Sequence, residues 1–111
     1  MSEQRKNKRY STFGLTTPYG QITNISDTGL CIFRKGKQEL GFGEMLRLVV
    51  QHEQAEVVLE GVVIRVQEIG MFRHEIGIEF TEVDAEKLAE IRLLIELGQA
   101  ESVSPSCFLA A

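Results

Sequence analysis

The residues best suited to chemistry in this chain lie within its first 29 positions. Arg5 and Arg9 are four residues apart in a basic run, and Asn24, Ser26 and Gly29 follow in a short polar turn. An arginine fork can donate to two phosphate oxygens or to the O6 and N7 acceptors of a guanine, while Asn and Ser can complete contacts to a base edge or a phosphate. Together these groups suit a compact anion that carries a polar base, and guanine with phosphate fits that description.

Each half of this set also has an ordinary interpretation. A basic N-terminal run is most often a solvated tail. An Asn-x-Ser-x-x-Gly turn can be only a turn, in which Asn and Ser bond the nearby backbone and Gly supplies a positive φ. The two halves gain weight when they occur together in front of a strand pattern that could hold them in place.

The charge of the chain is unevenly distributed. Its 111 residues carry a net charge of −4, with 43% hydrophobic and 25% charged residues, as in one ordinary globular domain. Residues 1–9 hold four cations and one acid, giving +3, so residues 10–111 hold eight cations and fifteen acids, giving −7. A basic segment on an acidic body favours a local anion site over broad adhesion to nucleic acid or membrane.

The sequence predicts a cytoplasmic protein with no membrane partner. No stretch approaches the ~18 apolar residues of a transmembrane helix, and the polar N-terminus lacks the apolar region of a secretory signal. Cys31 lies in an apolar run and Cys107 lies near the C-terminus. We therefore expect free thiols in a reducing compartment rather than a disulfide.

Periodicity divides the chain into an arm, a domain and a tail. We expect residues 1–18 to form a flexible basic arm, residues 19–98 the folded domain and residues 99–111 a loose tail. Apolar runs bounded by turn residues predict strands over 19–25, 30–33, 45–50, 57–66 and 73–80. About six short strands with hairpin connections predict a small antiparallel, Greek-key-like β-barrel, which leaves no exposed edges.

A C-terminal helix is predicted after the strands. Asp84 can cap its start and Gly98 can supply a C-cap. The apolar residues Leu88, Ile91 and Leu94 recur at helical spacing, so this stripe should pack on the barrel.

No catalytic or metal-binding pattern accompanies this fold. His52 and His74 lie in separate segments without Cys or carboxylate at metal-ligand spacing. The sequence shows no nucleophile paired with a base and no phosphate-binding glycine loop before a helix. We expect neither an enzyme nor a metal or other cofactor.

The two motifs, Arg5-x-x-x-Arg9 and Asn24-x-Ser26-x-x-Gly29, resemble the signature motifs of the PilZ domain family. The resemblance extends over roughly residues 5–97, because segments 43–50, 59–66 and 75–80 are similar to the later strands of that family in the expected order. Either motif alone could occur by chance. Both in order, followed by the strand pattern, form a specific match.

The resemblance implies a fold and a ligand. The fold is the β-barrel with a C-terminal helix, and the ligand is cyclic di-GMP, bound as one molecule or as an intercalated dimer. Arg5 and Arg9 would close over it from the arm, while Asn24 and Ser26 would hold the second base edge or phosphate and Gly29 would let the backbone come close. Ordering of the arm would be the signal passed to a downstream protein, whose identity is left open, or to a second copy in a ligand-dependent homo-oligomer.

Two positions qualify this comparison. Arg65 corresponds to a place where the family often carries an aromatic residue or an arginine that can lie against a guanine ring, although an exposed strand arginine is an equal alternative. Asn24 stands where many relatives have Asp. A carboxylate can accept from guanine N1–H and N2–H together, whereas an amide has a single acceptor oxygen, so the affinity could be lower.

Two other functions stay open at this point. One is a nucleic-acid-binding barrel with a basic arm, which the acidic body and the lack of interleaved aromatic residues on the strands disfavour. The other is a ligand-free adaptor for protein interactions, which the presence of both motifs disfavours.

Overall fold

Within residues 8–110, seven β-strands are followed by one α-helix. The computed structural model describes residues 8–110, with side chains described for residues 8–99. The elements within that range are β1 (Tyr10–Ser11), β2 (Thr16–Thr17), β3 (Gly20–Ile25), β4 (Gly29–Lys35), β5 (Met45–His52), β6 (Ala55–Gly70), β7 (Arg73–Thr81) and α1 (Ala85–Ala110).

Six of these strands close into an antiparallel barrel. Their order is β3-β2-β5-β6-β7-β4, and β4 returns to pair with β3, while β1 is an extra strand beside β3. β2 pairs with β5 through a single pair of opposed residues, Thr16 and Gln51. The predicted fold class, a small antiparallel barrel of about six strands with a C-terminal helix, is confirmed.

Strand alternation builds the core. In β6, Val57, Leu59 and Val63 are buried, whereas Val58 and Glu60 between them are exposed. Side chains two positions apart share a face of a strand, so each long strand turns one apolar set into the barrel.

The helix starts as predicted and covers the barrel with its apolar side. The Asp84 carboxylate accepts a hydrogen bond from the Lys87 backbone N–H at 2.8 Å, as an N-cap does. Ile91, Leu94 and Ile95 are buried against the core. Within residues 8–110, no helix combines the length and the apolar character needed to cross a membrane.

The helix does not end where the sequence predicted. It continues to Ala110, so the predicted C-cap at Gly98 is wrong, and residues 99–110 are helical. A Cβ at Gly98 would lie 2.9 Å from Thr12 Cβ and 3.3 Å from Leu15 Cδ1. Gly98 therefore permits a close approach between α1 and the segment that joins β1 to β2.

The folded part of the chain also begins earlier than the predicted boundary at residue 19. Thr12 N–H donates to Thr23 O at 3.1 Å, Ile22 N–H donates to Leu15 O at 2.9 Å, and Leu15 is fully buried. Residues 10–17 thus run beside β3 as two short strands. Two residues per strand leave no periodicity for a sequence pattern to reveal.

The close crossing of β6 and β7 predicts a specific sensitivity at Gly61. A Cβ there would lie 2.6 Å from Ile78 Cγ2 and 2.7 Å from Glu79 O. Gly61→Ala should lower the free energy of unfolding by ~1–3 kcal/mol in urea titrations, because the added methyl group overpacks the barrel.

Gly41→Ala is the matched control, because Gly41 has open space around it and does not adopt a left-handed conformation. This variant should be neutral or gain ~0.4–1 kcal/mol by restricting the unfolded chain. Equal stability changes in the two variants would contradict the packing account.

Candidate ligand-binding site

A row of directly opposed residues crosses the barrel from β1 to β6. Ser11 pairs with Asn24, Asn24 with Cys31, Cys31 with Gly77, and Gly77 with Arg65. Opposed residues in a sheet share a face, so these side chains point the same way. We call these five residues the polar row.

The polar row faces away from the core. The neighbouring row contains one residue from each of β3, β4, β7 and β6, all of them at most 1% exposed: Ile25, Leu30, Ile78 and Val63. Because successive strand residues alternate between faces, the polar row lies on the outer surface of the barrel.

Two β-bulges put Asn24 and Arg65 in this row. The register shifts between Ile22 and Asn24 in β3, and between Val63 and Arg65 in β6. Ile22 and Val63 are buried in the core, so strict alternation would also turn the residue two positions later inward. One extra residue in each strand reverses the alternation and brings both polar side chains to the outer face.

Arg65 lies across Gly77 and reaches towards β4. Its Nε would be 3.5 Å from a Cβ placed on Gly77, and its Nη2 is 3.7 Å from Cys31 Sγ. Its Nη1 donates to Gln67 Oε1 at 3.2 Å and lies 3.5 Å from Glu75 Oε1. The Arg65 side chain is 48% exposed, so it is oriented by neighbours and still has surface to offer a ligand.

Arg9 directly precedes β1, two residues before Ser11 of the polar row. Burial of the Cys31 thiol, and then the Glu75 carboxylate, raise the pKa of Cys31, while a hydrogen bond with Thr23 and the positive charges of Arg65 and Arg9 oppose that rise. The predicted partner of Arg9, Arg5, lies outside the described residues.

The side-chain oxygen of Asn24 is a buried hydrogen-bond acceptor without a donor in the described part of the chain. Its Oδ1 has no hydrogen-bond partner among the residues that the structure describes. An unpaired buried acceptor costs ~1–3 kcal/mol, so such a group calls for an explanation. A donor supplied by a ligand would remove this cost.

The turn after Asn24 uses its polar residues for its own structure. Ser26 is 2% exposed, its N–H donates to Gly29 O at 2.8 Å, and its hydroxyl accepts from Thr28 N–H at 3.2 Å. A Cβ on Gly29 would lie 2.4 Å from Ile78 O. Gly29 therefore allows β4 to approach β7, and it does not adopt the positive φ of the ordinary turn interpretation.

The structure thus separates the predicted site residues into two groups. Asn24 and Arg65 come together on the polar row, and Arg9 precedes Ser11 of that row by two residues. Ser26 and Gly29 shape the turn that follows Asn24, with the Ser26 side chain engaged in bonds of that turn.

One contact beside these residues is not predicted by the sequence. Arg92 of α1 forms a two-pronged ion pair with Asp27 of the turn, with Nη2 to Oδ2 at 2.8 Å and Nε to Oδ1 at 3.3 Å. The hydrogen bond from Arg92 and its charge outweigh partial burial and lower the pKa of the Asp27 carboxyl. The partners are 65 residues apart, so no local pattern could reveal the pair.

A cavity of about 370 Å³ lies beside this ion pair. Lys8, Tyr10 and Arg92 are among its lining residues. Tyr10 is opposed to the inward-facing Ile25, whereas Ser11 belongs to the outward-facing polar row. The strand β1 therefore separates this cavity from the polar row and touches both.

The Arg65 guanidinium and the Asn24 amide on one outer face suit an anion with hydrogen-bonding edges. Residues 8–99 contain no group of three His, Cys, Asp or Glu side chains placed to hold a metal ion.

Matches to known proteins identify a family and a shared fold. The family model of the PilZ domain matches residues 3–97. Comparison with curated protein sequences finds no match.

Two solved structures share the fold. The K. pneumonia MrkH–c-di-GMP complex superposes with a TM-score of 0.69 at 17% sequence identity, covering 92% of this chain and 54% of that one. The Bacillus subtilis inhibitor of motility MotI/DgrA gives a TM-score of 0.65 at 18% identity, covering 91% of this chain and 52% of that one. The present chain therefore spans about half the length of both matched chains.

The ion pair between the turn and α1 should be visible in the titration of Asp27. Carbon-detected NMR should place the pKa of its carboxyl below the ordinary value of 3.8, and Arg92→Gln should raise it towards that value. A lowered folded-state pKa means that the stabilisation is present above the unfolded-state pKa and is lost as pH falls through the folded-state pKa.

Lys87→Gln is the control, because Lys87 also forms an ion pair on α1 but pairs with Glu90. It should leave the Asp27 titration unchanged. An Asp27 pKa that is the same in wild type and Arg92→Gln would contradict the contact.

Proposed function

The chain belongs to the PilZ domain family, and we propose that it is a receptor domain for cyclic di-GMP rather than an enzyme. The placement of Asn24 and Arg65 on one outward row, with Arg9 two residues before Ser11 of that row, is the observation that carries this proposal. The shared fold of MrkH, whose structure is a complex with c-di-GMP, supports it.

The proposed contacts follow from the chemistry of each group. Arg5 and Arg9 contact guanine O6 and N7 or the phosphate oxygens, because a guanidinium presents paired donors in a plane. The Arg65 guanidinium lies against a guanine ring, where cation–π attraction acts. The unpaired Asn24 Oδ1 accepts a hydrogen bond from guanine N1–H or N2–H.

Ser26 and Gly29 contribute by holding the turn in shape. The buried Ser26 hydroxyl bonds inside the turn, and Gly29 lets β4 lie against β7. Loss of either would move Asn24, which lies two residues before Ser26 in the chain.

The proposed signal is ordering of the arm by the ligand. Fixing a backbone residue costs ~1–2 kcal/mol, so fixing the five residues 5–9 costs about 5–10 kcal/mol. Binding should therefore be moderate in affinity, with favourable enthalpy and unfavourable entropy. Arm placement changes the surface presented to a downstream protein or a second copy, and such differential contact is what lets a ligand shift an equilibrium.

Calorimetric titration with cyclic di-GMP tests the proposed site. Arg9→Ala and Arg65→Ala should each weaken binding by about tenfold or more, because each removes a charge-assisted contact. Both variants should unfold at nearly the wild-type temperature, since neither side chain is part of the core.

Arg47→Ala is the matched control. Arg47 is an exposed strand arginine that pairs with Glu60 and lies outside the polar row. Wild-type affinity in Arg9→Ala and Arg65→Ala would refute the site.

Steeply salt-dependent binding of oligonucleotides without preference for the cyclic dinucleotide would favour the nucleic-acid alternative. The absence of any nucleotide binding would favour the ligand-free adaptor.

Amide hydrogen exchange tests the arm. On addition of cyclic di-GMP, exchange should slow at residues 2–9 and change little at Ser11, Thr12 and Ile22, which β-pairing already protects. Equal exchange of residues 2–9 with and without ligand would overturn the switch while leaving the binding site intact.

A further inference from the structure

The β6–β7 hairpin carries exposed apolar side chains at its tip. β6 pairs with β5 only as far as Val62, whereas its pairing with β7 continues to the Gly70–Arg73 pair. The turn between those two residues is Met71-Phe72, which are 80% and 66% exposed. We call residues 69–73 the hairpin tip.

Phe72 also has an unusual backbone conformation. Phe72 has a φ of 57°, in the left-handed region that a bulky residue rarely adopts. Among the described residues, glycine occupies four of the five other positions of positive φ, and Glu82 occupies the fifth. An aromatic side chain kept where glycine would fit with less strain points to a role for that side chain.

The surroundings of the tip are basic. Lys35 is opposed to Arg73, and Gly36 N–H donates to Phe72 O at 2.7 Å, so the end of β4 lies beside the tip. Segments 34–39 and 68–73 together hold four cations and two acids, which gives +2 on a chain of net charge −4. These charged residues are Arg34, Lys35, Lys37, Arg73, Glu39 and Glu68.

We propose that the hairpin tip binds peripherally to an anionic lipid bilayer. A two-residue turn is convex, so Met71 and Phe72 can enter the headgroup boundary, while Lys35, Lys37 and Arg73 remain at the level of the lipid phosphates. Apolar burial and attraction between cations and anionic lipid then act together. This surface is separate from the polar row and does not depend on cyclic di-GMP.

The charge of the tip selects this partner over a second copy of the chain. Each copy repeats the same positive charge at the tip, so tip-to-tip pairing would bring like charges together. The sequence predicts no membrane partner, because a bilayer-spanning segment would need a long apolar run. A pair of exposed apolar residues in a turn leaves no such pattern.

Vesicle flotation of the full chain tests the proposal. The wild type should bind vesicles of one part phosphatidylglycerol to two parts phosphatidylcholine, and should bind vesicles of pure phosphatidylcholine at least about tenfold more weakly. Added salt should release the protein from the anionic vesicles, because it screens the charges. Phe72→Gly should lose about tenfold or more in vesicle binding, while its thermal stability is equal to or above that of the wild type.

Phe42→Ser is the matched control, since Phe42 is a 79% exposed phenylalanine whose neighbour Gly43 bonds to Val63, far along β6 from the tip. It should bind vesicles like the wild type. If Phe72→Gly proves less stable than expected, Met71→Ser provides the same test of binding without touching the left-handed position.

Three results would overturn the proposal. They are equal binding of wild type to anionic and neutral vesicles, wild-type vesicle binding by both Phe72→Gly and Met71→Ser, and a concentration-dependent dimer that Phe72→Gly abolishes. The last result would assign the tip to self-association.

Discussion

A closed barrel requires each strand to turn alternate side chains into one core, and this constraint decides what can face a ligand. In β3 and β6 the alternation that buries Ile22 and Val63 would also bury Asn24 and Arg65. A polar group in that position would need a partner inside the core. The two bulges resolve the conflict, because each shifts the alternation by one residue without opening the barrel.

The turn after β3 connects the outer face to the helix. Asn24 lies on the polar row, and Asp27, three residues later, is held by Arg92 of α1. An exposed ion pair adds little stability, so its main effect here is positional. β1 has one face on the polar row and the other on the cavity beside α1, so this strand lies between the proposed binding face and the helix.

Asn24 and Phe72 are among the described residues whose hydrogen bonding or backbone conformation is locally unfavourable. Asn24 keeps an unpaired buried oxygen, and Phe72 keeps a left-handed backbone under an exposed aromatic ring. A protein usually departs from locally favourable choices where function needs it. The two positions lie on different surfaces, which fits separate interactions with a small anionic ligand and with a larger anionic surface.

The sequence by itself determined the strands from β3 onward, the capped start of α1 at Asp84 and the two motifs, because each depends on local spacing or local turn chemistry. Tertiary structure alone decided four things: the strand pairing of residues 10–17, the extension of α1 past Gly98, the meeting of Asp27 with Arg92, and the outward direction of Asn24 and Arg65. The physical reason is the same in each case. Each feature depends on a neighbour that is remote in sequence: the strand that a two-residue segment pairs with, the Thr12 that packs on Gly98, the ion-pair partner, or the strand opposite a bulge. No local pattern in the sequence identifies that neighbour.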